Sequence, residues 1–244
     1  MTGERKTNLE IVADAEALAQ RVANWLWALA LAKEKVFAIA LSGGGTPRLL
    51  YQHLAAQPYR DSFPWSRAHW FWGDERFVPH SDAASNYRMV HDALLSRAPI
   101  PAANIHAIPT EGVSPQAAAS IYDAELKSFY GAKRLDPARP LFDVTLLGLG
   151  PDGHTASLFP GTAVLAEHVR WVAAVTDDKH GERITLTYPA LQSSRHAAFL
   201  VAGADKRSIL SRYRRGDASL PASHLVPSGT LHVFADRAAV GEAA

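Results

Sequence analysis

Apolar and polar positions along the chain alternate between two periods. Short apolar, β-branched or aromatic runs at Val36–Leu41, His69–Trp72, Phe142–Leu147, Trp171–Val175, Ile184–Thr187, Ala197–Val201 and Leu231–Phe234 predict strands. Helical spacing predicts a long helix from Leu9 to about Ala32, with Asn8 as its N-cap. Further helices are expected at Pro47–Ala56, Ala83–Ser96, Pro115–Tyr130 and Lys206–Arg214. Alternation of this kind implies a Rossmann-like α/β fold: a mostly parallel sheet with helices on both faces, in a single domain over residues 1–244. The Pro- and Ala-rich stretch Arg97–Gly112 reads as a long surface connection, and the tail Asp236–Ala244 as frayed.

In such sheets ligands meet the loops that leave the carboxyl ends of the strands, so the chemistry is sought there. The loop Ser42-Gly43-Gly44-Gly45-Thr46-Pro47 follows the Val36–Leu41 strand. Its glycines allow backbone N–H groups to approach a ligand, Pro47 suits a first helical turn, and the helix N-terminus attracts an anion. Ser42 and Thr46 add hydroxyls. The pattern fits a phosphate cradle or a plain tight strand-to-helix turn; it lacks the lysine of a Walker A loop.

A second loop, Gly73-Asp74-Glu75-Arg76, follows His69–Trp72 and leads to Ser85-Asn86-Tyr87-Arg88. Arg76 either joins a solvated ion-pair cluster or points its planar fork at an anion. Asn86 opens a helical stretch and caps or braces the turn.

The third loop, Leu146 to Gly161, reads LLGLGPDGHTASLFPG. It matches G-x-G-x-x-G after a strand, and the acidic pair Asp177-Asp178 lies downstream, as in a dinucleotide-binding turn. Three residues argue otherwise. Pro151 removes a donor, Asp152 places a negative charge where a pyrophosphate would approach, and His154 offers an imidazole able to give or take a proton. Asp152 is placed to fix one ring nitrogen of His154 and free the other for acid–base work, although a lone histidine is more often structural. A short helix is expected at Thr155–Leu158. Lys179 and Arg183, in Thr176–Arg183, and Lys206, after the Ala197–Val201 strand, are candidate phosphate contacts or ordinary surface charges.

Composition narrows the field. The 244 residues include 25 Lys+Arg against 24 Asp+Glu, a net charge of +1, so no basic face points to nucleic acid. Cysteine is absent, which excludes disulfides and Cys-ligated metal, and no zincin-type histidine pair is present. The charged N-terminus lacks the apolar core of a signal peptide, and no membrane-spanning stretch is seen, so a cytoplasmic protein is expected. Oligomeric state is left open.

With these loops in order, the sequence resembles the family of 6-phosphogluconolactonases and glucosamine-6-phosphate isomerase/deaminases. The resemblance rests on LSGGGTP (41–47), WFWGDERFVP (70–79) with SNYRM (85–89), LLGLGPDGHTASLFPG (146–161), ERITLT (182–187) and VAGADKR (201–207). Deaminases of the family carry a glutamate five residues beyond the loop histidine, where this chain has Phe159, and a tyrosine in place of Arg76. The resemblance therefore implies hydrolysis of 6-phospho-D-glucono-1,5-lactone in the oxidative pentose phosphate pathway, without metal or organic cofactor. It implies His154 as general base, Asp152 as its partner, and Arg76, Lys179, Arg183, Lys206 and the 42–46 loop as binding or charge-stabilising groups. A deaminase or isomerase activity, or a noncatalytic sugar-phosphate-binding protein, are the alternatives.

Overall fold

The computed structural model describes residues 7–177 and 179–241. The chain runs through β1 (Thr7–Val12), α1 (Ala15–Ala32), β2 (Phe37–Leu41), α2 (Gly45–Leu54), α3 (Tyr59–Ser62), β3 (Ala68–Trp72) and β4 (Asp74–Arg76). It continues through α4 (Asn86–Val90), β5 (Ile105–His106), α5 (Pro115–Tyr130), β6 (Phe142–Leu147), β7 (Val172–Asp177) and β8 (Gly181–Leu186). The last elements are α6 (Tyr188–Gln192), β9 (Ser194–Val201), α7 (Arg207–Arg214), β10 (Thr230–Asp236) and α8 (Arg237–Val240).

Seven strands form one sheet in the order β1-β10-β9-β6-β2-β3-β5, and every pairing in it is parallel. Both faces of its central strands are covered, so all of Phe37–Leu41 and Phe142–Leu147 are buried. The one acid in these two runs, Asp143, is satisfied by Lys33 Nζ at 2.6 Å and the Ala38 N–H at 3.0 Å. From β2 the chain steps one way to β3 and β5. It then returns to the other flank of β2 for β6, β9 and β10. The order reverses between β2 and β6, the place at which sheets of this kind receive their ligands. Two of the three loops singled out above leave the sheet at that point.

The expected long N-terminal helix divides in two. Thr7–Val12 is a parallel edge strand with Leu9 opposite Val233, and the helix begins only at Ala15. Asp14, not Asn8, is the cap, accepting the Ala17 N–H at 2.8 Å. The strand was hidden because its partner lies more than two hundred residues away. The tail is ordered further than expected: β10 runs to Asp236, whose buried carboxylate accepts the N–H groups of Ala239 and Gly203 and so caps α8. Residues 242–244 lie outside the described set.

Arg97–Gly112 is not a bare connection. It supplies β5, the sheet edge beside β3, and buries Asn104, Ile108 and Thr110. The expected Ala83–Ser96 helix starts at Asn86 with Ser85 as cap and loosens into a π turn over His91–Leu95. Pro115–Tyr130 is a helix as expected, with Ser114 capping it and Gly131 ending it at φ 74°. The strands near Trp171 and Ile184 do not join the parallel sheet. With β4 they build a separate antiparallel sheet, β4-β8-β7. No helix among the described residues is long and apolar enough to cross a membrane.

Candidate active site

At the end of β2 the 42–47 loop is held by a residue that sequence reading passed over. Tyr51, fully buried on α2, accepts the Ser42 N–H at 3.0 Å and donates to the Ser42 carbonyl at 2.8 Å. Burial pushes its pKa well up despite the Ser42 contact, so the phenol stays protonated and can donate. A matching clamp stands one strand over, where the Tyr122 hydroxyl joins the N–H and carbonyl of Trp72 at the end of β3. The Ser42 N–H is thus committed. The remaining N–H groups of Gly43, Gly44, Gly45 and Thr46 lead into the first turn of α2, with Gly44 at φ 105°. A Cβ on Gly43 would lie 2.0 Å from Asn86 Oδ1, so the glycine is required by close approach to the neighbouring loop.

The second loop turns out to be β4. Glu75 is 1% exposed and accepts the N–H groups of Arg76, Asn86 and Tyr87 and the Ser85 hydroxyl, at 2.7–3.1 Å. It ties β4 to the N-terminus of α4. Asn86 completes the junction by donating to the Asp74 carbonyl at 2.9 Å. Arg76 donates to the Ala84 carbonyl and lies directly opposite Arg183 in the antiparallel register of β4 and β8. Like charges facing each other across a strand pair are unfavourable, so this pairing concentrates positive potential on one face of the small sheet.

The third loop closes on itself. The Gly150 N–H goes to the His154 carbonyl at 2.9 Å and the Gly153 N–H to Gly150 at 3.0 Å. The His154 N–H goes to Asp152 Oδ1 at 3.1 Å, and Pro151 has none to give. These donors are spent inside the turn, which is why its glycines do not make a pyrophosphate site. They serve packing instead. A Cβ on Gly150 would lie 2.1 Å from His154 Nδ1, and Gly153, at φ 84°, leaves room for Leu220. His154 Nδ1 is 2.6 Å from Asp152 Oδ1. Burial opposes the charge on Asp152, but hydrogen bonds from the His154 backbone and ring outweigh it and hold the carboxyl below its usual range.

No helix follows at Thr155–Leu158. A tight turn bridges these two residues and carries Ala156 at φ 48°, a left-handed conformation unusual for a residue with a Cβ. The turn is bound to the small sheet: the Ser157 hydroxyl donates to Asp74 Oδ2 at 2.7 Å, and the Ser157 N–H to Thr185 Oγ1 at 3.1 Å. Phe159 packs edge-on against His154 and lies flat on His180, with ring centroids 4.0 Å apart. His180, itself 5.8 Å from the His154 ring, carries no signal of its own in the sequence, where it stands beside the cation Lys179.

The candidate cations fall into three places. Lys206 crosses from the end of β9 to donate to the Leu149 carbonyl at 3.0 Å, beside the His154 turn. Arg183 lies inside β8, facing Arg76, and not in a loop. Lys179 is exposed in the β7–β8 turn next to His180. Of the acidic pair, Asp177 ends β7 and Asp178 lies outside the described residues. Ser42 and Gly148 adjoin, since a Cβ on Gly148 would meet Ser42 Oγ at 3.7 Å. The His154 dyad, the 42–46 loop, Lys206 and the Arg76–Arg183 pair thus belong to elements in mutual contact at the switch point. Among the described residues no group of three or more His, Cys, Asp or Glu side chains is arranged to hold a metal ion.

Residues 13–233 match the family model of glucosamine-6-phosphate isomerases/6-phosphogluconolactonase, and the chain belongs to that family. It is 38% identical to the 6-phosphogluconolactonase of a Nostoc strain over 97% of this chain and 98% of that one. It also resembles the crystal structure of 6-phosphogluconolactonase from Thermotoga maritima, with 31% identity, a TM-score of 0.79 and coverage of 95% and 100% of the two chains. A monomeric glucosamine-6-phosphate deaminase shares the fold with a TM-score of 0.80 at 19% identity, covering 95% and 98%. Fold alone therefore does not choose between the branches; the site must.

Proposed function

We propose that this single-domain protein hydrolyses 6-phospho-D-glucono-1,5-lactone to 6-phosphogluconate, with His154 as general base. The observation that carries the reading is the 2.6 Å contact between Asp152 and the Nδ1 atom of His154. With Nδ1–H donated to the carboxylate, Nε2 is left with a lone pair. It removes a proton from water as the water attacks C1, then returns that proton to the ring oxygen as the C1–O bond breaks. Asp152 stabilises the transient imidazolium.

The phosphate of the substrate is assigned to the free N–H groups of residues 43–46, at the start of α2, together with Lys206. Arg76 and Arg183 are assigned to the remaining negative charge, including the oxyanion formed at C1. Phe159 supports lactone hydrolysis over amine release. It sets an aromatic wall against His154 where the deaminase branch places a carboxylate, and no second acid is needed to open a lactone.

The test is kinetic. The protein should accelerate lactone hydrolysis above the spontaneous rate in the presence of EDTA, and His154→Ala should lose about 10²–10⁴-fold in kcat while remaining folded. A fully active His154→Ala enzyme removes the general base. An Arg76→Ala enzyme with unchanged kcat/KM removes that arginine from the site.

A further inference from the structure

On the outer flank of α2 and α4 lies a pocket of about 270 Å³ that shares no residue with the candidate active site. Arg48, Arg88 and Arg97 line it, with Gln52, Met89 and a single acid, Asp92. Three guanidiniums against one carboxylate leave a net charge of +2. Even that carboxylate is shared: Asp92 lies 3.8 Å from Arg88 Nε and 3.3 Å from His91 Nδ1. Arg88 is fixed from the other side, donating to the Ser81 carbonyl at 2.6 Å. Neither the Arg48 nor the Arg97 guanidinium has a hydrogen-bond or ion-pair partner among the described residues.

Three like charges gathered in one depression repel one another unless a counter-ion joins them. The planar guanidinium fork matches the oxygens of a phosphate group, and several forks can share one dianion. No aromatic side chain lines the pocket, so there is no platform for stacking a nucleobase. The volume lies just below the range usual for sites that enclose drug-sized ligands, which suits a compact group.

We infer that Arg48, Arg88 and Arg97 form a second anion site that takes a phosphate monoester or inorganic phosphate dianion. It is separate from the substrate site, although it rests on the same two helices. Arg48 follows directly on the Gly45–Pro47 turn, and the Arg88 N–H is bonded to Ser85 Oγ, the cap of α4.

The experiment is a titration of the whole protein with inorganic phosphate, followed by the arginine Nε–H resonances in 1H–15N spectra. Sodium chloride at matched ionic strength is the control. Saturable shifts of Arg48 and Arg97, absent with chloride, are expected. Arg48→Ala should weaken the phosphate affinity read at Arg97 by about tenfold or more, with kcat/KM in phosphate-free buffer unchanged. Lys206→Ala should leave the shifts intact even if it damages catalysis, which separates this site from the assigned substrate site. Equal shifts with chloride, an Arg97 response indifferent to Arg48→Ala, or loss of the response in Lys206→Ala each overturn the assignment.

Discussion

One carboxylate oxygen, Oδ1 of Asp152, holds His154 at two points: the ring Nδ1 at 2.6 Å and the backbone N–H at 3.1 Å. The residue two positions upstream thereby sets both the turn and the tautomer. Asp152→Asn keeps the shape of the turn but offers the ring an amide in place of an anion. We expect kcat to fall about 10²–10⁴-fold, with KM and Tm little changed. Steady-state kinetics beside a thermal melt checks this; unchanged kcat would detach Asp152 from the reaction.

Gly150 is the more revealing target, because it has no side chain that could take part in the reaction. A methyl there would lie 2.1 Å from His154 Nδ1 and 2.2 Å from Cε1. Contacts that short force the ring to move, so Gly150→Ala should break the Asp152 contact. We expect at least about a tenfold loss in kcat, and a matching change in the His154 ring resonances by NMR. Full activity would show that the ring tolerates displacement.

Glu75 tests the wall of the site. Burial raises its pKa, and the N–H groups of Asn86, Tyr87 and Arg76 pull it back without cancelling the rise. In Glu75→Gln an amide NH2 must face donors that now meet an oxygen. The expected cost is about 2–4 kcal/mol in denaturant unfolding. KM for the lactone should rise more than kcat falls, since Arg76 and Asn86 hang from this carboxylate. Wild-type stability would show that the four donors find other partners.

The paired histidines of β9 and β10 predict acid sensitivity. His196 Nδ1 and His232 Nε2 are 3.1 Å apart beneath Trp25. Burial, then His196 and Arg21, push His232 down to about 4 from 6.5, against the pull of Glu10. Burial likewise lowers His196, which Asp143 raises and Arg195 lowers. A histidine depressed in the folded state binds its proton more readily unfolded. Its stabilisation is therefore complete above pH 6.5 and is lost as pH falls towards 4. Because both rings are partly exposed, the loss is discounted to about 1 kcal/mol. Melts between neutral and acid pH should show Tm falling over that window, less steeply in His232→Phe; an equal slope in the variant removes the pair as its cause.

Much of the fold was legible because local pattern and tertiary role agreed. An unbroken apolar run such as Phe37–Leu41 requires cover on both faces, and Ser114-Pro115 with Gly131 bound a helix by backbone geometry alone. The elements that escaped were those whose partner is remote or whose length is minimal: β1 against β10, β4 against β8, and the two-residue β5.

The sequence by itself determined the chemistry available, in His154 two residues after Asp152, the glycine loop before α2, and the cations following the later strands. It could not say how the donors are spent. Only tertiary structure gave the Ser42 N–H to Tyr51, set Arg76 opposite Arg183, and brought His180 and Phe159 against His154. Each of those outcomes depends on which strands become neighbours. That is decided by how the whole chain buries its apolar faces, a quantity no short motif contains.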